Sequence, residues 1–109
     1  MAVVEKSKDT EQKVRYRVYP EIDSRVDYRN RTIDIEIALP GVAKEDIQLK
    51  FLPEWFYLNA KRDEIEYSGS FNLGTTVVPE KTVAKYLNGL LKVHAVIANP
   101  MDNAKTLSF

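Results

Sequence analysis

Residues 32–39 alternate apolar with polar or small side chains, and this alternation constrains the fold more than any other feature of the chain. The apolar positions are Ile33, Ile35, Ile37 and Leu39. A period of two is typical of a β-strand with one face on the core and the other in water. Pro40 and Gly41 end the run, because proline cannot donate to a β-ladder and glycine tolerates turn conformations. The pattern therefore predicts a half-buried strand that stops at a turn.

Several further extended runs follow the same pattern between turn residues. The predicted strands cover residues 22–28, 32–39, 47–51, 55–61, 67–74, 83–87 and 90–98, with an additional edge strand at Val14, Tyr16 and Val18. Residues 29–31 are expected to connect the first two of these strands, and Asn88 with Gly89 suits the tight turn of a hairpin. No long segment has the period of an amphipathic helix. The sequence thus predicts an all-β fold, an immunoglobulin-like antiparallel β-sandwich.

The composition is that of one small globular domain. The chain has 109 residues, of which 44% are hydrophobic and 29% are charged. Its 16 basic and 16 acidic residues balance, so bulk charge does not supply the attraction to phosphate on which non-specific nucleic-acid binding depends. The absence of cysteine excludes a disulfide framework and a thiolate nucleophile.

The N-terminal residues do not have the pattern of a targeting segment. Residues 1–13 are polar and carry no sustained period, which predicts a mobile arm. Acidic residues and lysines stand where a secretory leader needs an apolar stretch. The longest apolar runs, such as 95–98, are far shorter than the roughly 20 residues that span a bilayer. We therefore expect a cytoplasmic protein without a membrane partner.

Two segments resemble the α-crystallin domain of the small heat-shock proteins. Residues 38–47 are similar to the family's Leu-Pro-Gly turn and the Lys-Glu-Asp-Ile that follows it, and residues 84–91 are similar to its Ala-x-x-x-Asn-Gly-x-Leu signature. The matching residues are Leu39, Pro40, Gly41, Ala84, Asn88, Gly89 and Leu91. The resemblance implies a short polar N-terminal arm over 1–18, an α-crystallin domain over 19–99 and a C-terminal tail over 100–109.

The resemblance implies binding rather than catalysis. Small heat-shock proteins are ATP-independent holdases, which bind partly unfolded client proteins and prevent their aggregation without a catalytic residue or a cofactor. Their main groove lies between the strand after the Pro-Gly turn and the strand before Asn-Gly. Carried onto this chain, the groove residues are Ile47, Leu49 and Phe51 on one strand and Val83, Ala84 and Leu87 on the other. The alternative is that these side chains simply fill the core.

The C-terminal tail departs from the family's pattern. The family usually carries an Ile-x-Ile or Val-x-Ile motif that plugs the groove of a neighbouring subunit, whereas this chain ends in Leu107, Ser108 and Phe109. We expect Leu107 and Phe109 to form a degenerate plug, with a frayed terminus as the alternative.

The connection between strands 55–61 and 67–74 is also unusual for the family. Many bacterial, archaeal and plant members have a long loop there, carrying a strand that swaps into the partner, but here only residues 62–66 intervene. Dimerisation is therefore expected to use an edge formed by Glu64, Ile65, Glu66 and Tyr67. Together with the short arm, this predicts a monomer or a small homo-oligomer such as a dimer.

Two binding functions stand as alternatives to the holdase. Domains of the CS type share this sandwich and act as co-chaperones or adaptors without independent holdase activity. A nucleic-acid surface is suggested by the five arginines within residues 15–31, which are interleaved with tyrosines. Acidic residues among them, Glu21, Asp23 and Asp27, favour a solvated face instead.

An enzymatic function has little support in the sequence. A histidine-dependent mechanism would have to use His94, the only histidine, but no activated nucleophile accompanies it. We expect His94 to lie on a strand surface. The carboxylates Asp63, Glu64 and Glu66 are expected to be solvated charges in a loop, and no metal site is expected.

Overall fold

The structure, a computed structural model, describes residues 14–109, and within them it is a sandwich of two four-stranded β-sheets. The strands are β1 (Tyr16–Val18), β2 (Glu21–Asp27), β3 (Thr32–Ala38), β4 (Ile47–Phe51), β5 (Trp55–Arg62), β6 (Ile65–Asn72), β7 (Val83–Leu87) and β8 (Leu90–Val96). Short 3₁₀ turns cover Lys44–Asp46, Pro79–Lys81 and Pro100–Asn103. The predicted all-β sandwich is confirmed. The prediction of a mobile arm over residues 1–13 lies outside the described residues.

The first sheet has the order β1-β6-β5-β4 and the second has the order β2-β3-β8-β7. Neighbouring strands are antiparallel except β1 and β6, which run parallel. Tyr19 and Pro20 join β1 in the first sheet to β2 in the second. The predicted edge strand near Tyr16 is therefore present, and it belongs to the sheet opposite that of the strand that follows it.

The core lies between the sheets and is formed by alternate residues of the central strands. It comprises Ile33, Ile35, Ile37, Leu39, Val42, Phe56, Leu58, Ala60, Tyr67, Val77, Leu91, Val93 and Ala95. The ladder places Ile35 of β3 beside Val93 of β8, and both side chains are buried. Full burial of an aliphatic side chain of this size contributes about 1.5–3 kcal/mol. The alternation that predicted β3 therefore also selects the residues that hold the sheets together.

The two segments that resemble the α-crystallin signature are in contact. The backbone N–H of Leu39 donates to the carbonyl of Gly89 at 2.7 Å. Asn88 and Gly89 have φ values of 53° and 80°, as expected for a tight hairpin turn. The Tyr86 hydroxyl lies 2.8 Å from the carbonyl oxygen of Leu39 and 2.7 Å from that of Val42. The end of β3 and the β7–β8 turn are thus fixed to each other.

The β5–β6 connection corrects one expectation from the sequence. Only Asp63 and Glu64 connect these strands. Glu66, expected in a solvated loop, instead lies in β6 with 8% of its surface exposed. Its carboxylate accepts hydrogen bonds from Asn59 Nδ2 and from Arg17 Nε. The Asn59 bond first, and then Arg17, hold the pKa of Glu66 below its usual value although burial opposes this.

Candidate functional site

β4 and β7 are the outer strands of their sheets on the same flank of the sandwich. Among the described residues β4 pairs only with β5, and β7 pairs only with β8. Each strand therefore presents backbone N–H and C=O groups that have no ladder partner in residues 14–109. Such an edge can accept an extended segment of another chain as an additional strand.

The β4 side of this flank is apolar. Its inward-pointing side chains, Ile47, Leu49 and Phe51, lie beside Ala60, Leu58 and Phe56 of β5 in the ladder. All three are half-buried and pack against the core. The Phe51 ring stacks on that of Phe56 with 5.0 Å between ring centres. These residues form the border between the core and this flank, so each has both a buried and an accessible side.

The β7 side requires a correction to the predicted groove. The ladder places Ala84 beside buried Val93, so Ala84 points inward. Successive side chains of a strand point to opposite faces, which directs Val83 and Leu87 outward, where they are 58% and 72% exposed. Val83 and Leu87 therefore do not line the same surface as Ala84.

Tyr86 is the groove residue that the sequence analysis missed. It lies two positions after Ala84, beside buried Leu91 in the ladder, and its half-buried side chain packs against the core. Alternation from Ala84 was the signal that could have identified it. Burial raises the pKa of the Tyr86 hydroxyl, so the group stays neutral and hydrogen-bonded to the turn after β3. We define the β4–β7 groove by Ile47, Leu49, Phe51, Ala84 and Tyr86.

Comparisons with known proteins identify this architecture. No protein-family model and no curated protein sequence matches the chain, but solved structures do. Heat shock protein 16.0 from Schizosaccharomyces pombe is similar with a TM-score of 0.69 and 19% identity, covering 85% of this chain and 76% of that chain. A small heat-shock protein from Xylella fastidiosa has a TM-score of 0.65 and 12% identity, covering 84% and 97%. The chain has the α-crystallin-domain fold of the small heat-shock proteins.

A phage protein shares the same α-crystallin fold. The small heat shock protein from Synechococcus phage S-ShM2 has a TM-score of 0.57 and 18% identity, covering 84% of this chain and 98% of that chain. Identities this low establish the fold alone. Within the α-crystallin fold of this chain, β4 follows the Pro-Gly turn and β7 precedes Asn88 and Gly89, which are the two strands expected to border the groove.

The edge predicted for dimerisation is already partnered within this α-crystallin fold. β1 lies along it, with Tyr16 beside Ile65, Arg17 beside Glu66 and Val18 beside Tyr67. The backbone N–H groups of Arg15 and Tyr16 also donate to the carbonyl of Glu64. The expected pairing through Glu64, Ile65, Glu66 and Tyr67 is corrected accordingly, because the alternating residues before Val18 form a strand that occupies this edge.

The two apolar residues of the tail are exposed. Leu107 is 70% exposed and Phe109 is fully exposed, so neither side chain is packed into the β4–β7 groove of its own chain. If these side chains act as a plug, they therefore do so in the β4–β7 groove of another copy.

The remaining candidate residues lie away from the groove. His94 Nδ1 is 2.7 Å from Asp34 Oδ1 on the outer face of the second sheet, which agrees with the predicted strand surface. Three of the five clustered arginines are in ion pairs: Arg15 with Glu64, Arg17 with Glu66, and Arg25 with Asp23 and Glu36. The acidic partners reduce the attraction of this segment for phosphate.

Two further features are absent from residues 14–109. Among these residues, no helix has the length and apolarity required to cross a bilayer. Nor does the same part of the chain bring three or more histidine, cysteine, aspartate or glutamate side chains into an arrangement that could hold a metal ion.

Proposed function

We propose that this chain is a small heat-shock protein that acts in the cytoplasm as an ATP-independent holdase, binding partly unfolded proteins and preventing their aggregation. The observation that carries the proposal is that β4 and β7 each lack a second ladder partner within residues 14–109 and that their inward-facing side chains are not fully covered. These side chains are Ile47, Leu49, Phe51, Ala84 and Tyr86. The two signature segments and the α-crystallin fold support the same assignment. This is a binding function, and no residue is assigned a catalytic role.

The groove can bind a client through two kinds of interaction. An extended client segment adds to the edge of β4 or β7, and its backbone forms ladder hydrogen bonds that contribute about 0.5–1.5 kcal/mol each. Apolar client side chains pack against Leu49, Phe51 and Ala84, with about 25 cal/mol for each Å² of apolar surface removed from water. Neither interaction requires a defined client sequence. Partly unfolded proteins share what the groove recognises, namely exposed, extended, apolar segments.

The same groove can bind the C-terminal tail of a second copy. Leu107 and Phe109 are two residues apart, so in an extended chain they point to the same side. The inward residues of β4 have the same spacing. The tail would then compete with clients, and the protein would form small homo-oligomers.

A pair of substitutions on β7 tests the groove. Ala84→Lys places a charge in the groove, whereas Val83→Lys places the same charge on the outward face of the same strand. Both positions are exposed, so neither change removes core packing. We expect Ala84→Lys to lose most of the protection of heat-denatured citrate synthase, measured by light scattering, while Val83→Lys retains it. Thermal unfolding monitored by circular dichroism checks that both variants are folded.

The other outcomes separate the remaining hypotheses. Equal protection by the two variants would exclude the β4–β7 groove as the client site. A wild-type protein that does not suppress aggregation even at about tenfold molar excess would support the CS-type adaptor, since an adaptor protects little by itself. The solution mass at two temperatures gives a second criterion, because holdases of this kind commonly release subunits on warming and an adaptor should not.

A further inference from the structure

β2 is a long edge strand on the flank opposite the β4–β7 groove. It pairs with β3 over seven consecutive residues, from Glu21 beside Ala38 to Asp27 beside Thr32. Its other edge has no backbone hydrogen-bond partner among residues 14–109. All of its residues except Ile22 are exposed. Alternate backbone groups of β2 therefore face solvent along most of the length of the second sheet.

β2 is the longest of the four outer strands. β1 has only three residues and is followed closely by Pro20. β4 and β7 have five residues each. A long, uninterrupted edge offers the most unpaired backbone groups to a partner strand. β2 has no proline and no interruption of its register over seven residues. Its charged side chains, Glu21, Asp23, Arg25 and Asp27, carry both signs, so they favour a register in which opposite charges meet.

We propose that β2 pairs antiparallel with β2 of a second copy, around a two-fold axis through Ser24. In this register Ile22 lies opposite Val26, Asp23 lies opposite Arg25, and Ser24 lies opposite its own counterpart. Each of the first two pairings occurs twice, as required for an isologous interface. Apolar residues meet apolar residues and opposite charges meet, so the strand is complementary to itself.

The side chains of β2 support this register. Asp23 and Arg25 share the outward face and already lie 3.6 Å apart within one chain, from Asp23 Oδ2 to Arg25 Nε. A second copy adds the opposite charge across the interface at both positions. Moving the axis by one residue along the strand would place Asp23 or Arg25 opposite itself. The charge pattern therefore favours the axis at Ser24 over its neighbours.

The inward side chains provide the apolar part of the interface. Ile22 and Val26 point toward the first sheet, and Val26 remains 39% exposed. Ile22 borders a cleft between β2 and β6 that Tyr19 and Phe71 also line. In the proposed dimer, Val26 of the second copy lies next to Ile22 and covers the mouth of this cleft.

The ends of the strand set a limit on the strength of the interface. There Glu21 lies opposite Asp27, and two carboxylates in opposition are unfavourable. The Asp27 carboxylate is engaged by the backbone N–H groups of Arg29 and Asn30 at 3.0 and 3.1 Å, which holds it toward its own turn. The interface is therefore expected to form a dimer in reversible equilibrium with the monomer.

A charge-exchange experiment on the full chain tests this pairing. Asp23→Arg alone places arginines opposite each other, and Arg25→Asp alone places aspartates opposite each other. Each single variant is expected to raise the dimer dissociation constant about tenfold or more, measured by sedimentation equilibrium. An equimolar mixture restores both opposite-charge pairs, so it should form the heterodimer, which native mass spectrometry distinguishes from the homodimers by mass.

A control variant and the contrary results complete the test. Lys92→Glu changes the net charge as much as Arg25→Asp does and lies on the same outer face, but on the central strand β8, so it should leave the dissociation constant unchanged. The proposal is overturned if the wild type remains monomeric at about 100 μM. It is also overturned if the single variants dimerise like the wild type, or if the mixture associates no better than they do. The result is independent of holdase activity, because β2 and the β4–β7 groove lie on opposite flanks.

Discussion

Arg17 Nε lies 2.9 Å from Glu66 Oε1, and this ion pair joins β1 to β6 at the centre of their parallel register. The second oxygen of the carboxylate accepts a hydrogen bond from Asn59 on β5. Glu66 is the one buried charged residue found in the part of the chain that the structure describes. Because an unpaired buried charge is strongly unfavourable, these two partners allow the carboxylate to remain ionised beneath β1.

Glu66 is therefore expected to matter more for stability than the exposed acid beside it. Glu66→Ala leaves the side chains of Arg17 and Asn59 without their acceptor and should lower the free energy of unfolding by about 1–3 kcal/mol. Glu64→Ala is the control, because the Arg15–Glu64 pair is more than half exposed and should change stability by less than about 1 kcal/mol. Urea unfolding measures both. Equal effects would show that the buried network does not stabilise the sandwich.

Stability should also depend on pH through this carboxylate. The pKa of Glu66 is lowered in the folded protein, first by Asn59 and then by Arg17, whereas in the unfolded chain it is near 4.3. The ionised form therefore stabilises the fold above about pH 4.3, and this contribution is lost as pH falls through the lower folded-state value. The difference in free energy of unfolding between wild type and Glu66→Gln should shrink on acidification. A difference that stays constant down to about pH 3 would contradict this assignment.

The sequence predicted the elements that local patterns determine. The alternation of Ile33, Ile35 and Ile37 identified β3, and Asn88 with Gly89 identified the β7–β8 hairpin, because side-chain period and turn conformation are properties of neighbouring residues. Glu66 was misplaced because its carboxylate is paired with Arg17, a residue 49 positions away. No local pattern reports such a contact.

The candidate groove was predictable only in part, because the direction of its side chains depends on how its strands pair. The resemblance named the correct two strands, but the faces of their side chains depend on register. Once β7 pairs with β8, Ala84 lies beside buried Val93, and alternation alone then directs Val83 outward. The parallel pairing of β1 with β6 was not predictable, because the direction in which an edge strand docks is set by tertiary contacts and not by its own alternation.

The contact between the two signature segments gives a further prediction. Gly74 and Gly89 both have positive φ, at 76° and 80°. A Cβ at position 74 meets nothing within 4 Å, whereas one at position 89 lies 3.3 Å from Pro40 Cα. Alanine at either position adopts an unfavourable backbone conformation, at a cost of about 1 kcal/mol or more. Gly89→Ala additionally displaces the turn after β3, so it should be the more destabilising of the two.

Two measurements check the glycine comparison. Urea unfolding gives the difference in stability between Gly89→Ala and Gly74→Ala. Hydrogen exchange reports the Leu39 amide, which donates to the Gly89 carbonyl and should exchange faster only in Gly89→Ala. Equal stabilities and an unchanged Leu39 amide would mean that the close approach to Pro40 has no energetic consequence.

The tail hypothesis predicts that the last three residues change the state of assembly. If Leu107 and Phe109 of one copy occupy the β4–β7 groove of another, deleting residues 107–109 should lower the mean mass in sedimentation velocity and raise client protection, because the groove is vacated. Ser108→Ala is the control, since an extended tail turns this side chain away from the groove. The deletion should have no further effect on mass in the Ala84→Lys background, where the groove is already blocked. In the Asp23→Arg background the deletion should still lower the mean mass, because β2 lies on the other flank. An unchanged sedimentation profile in the wild-type background would reject the plug.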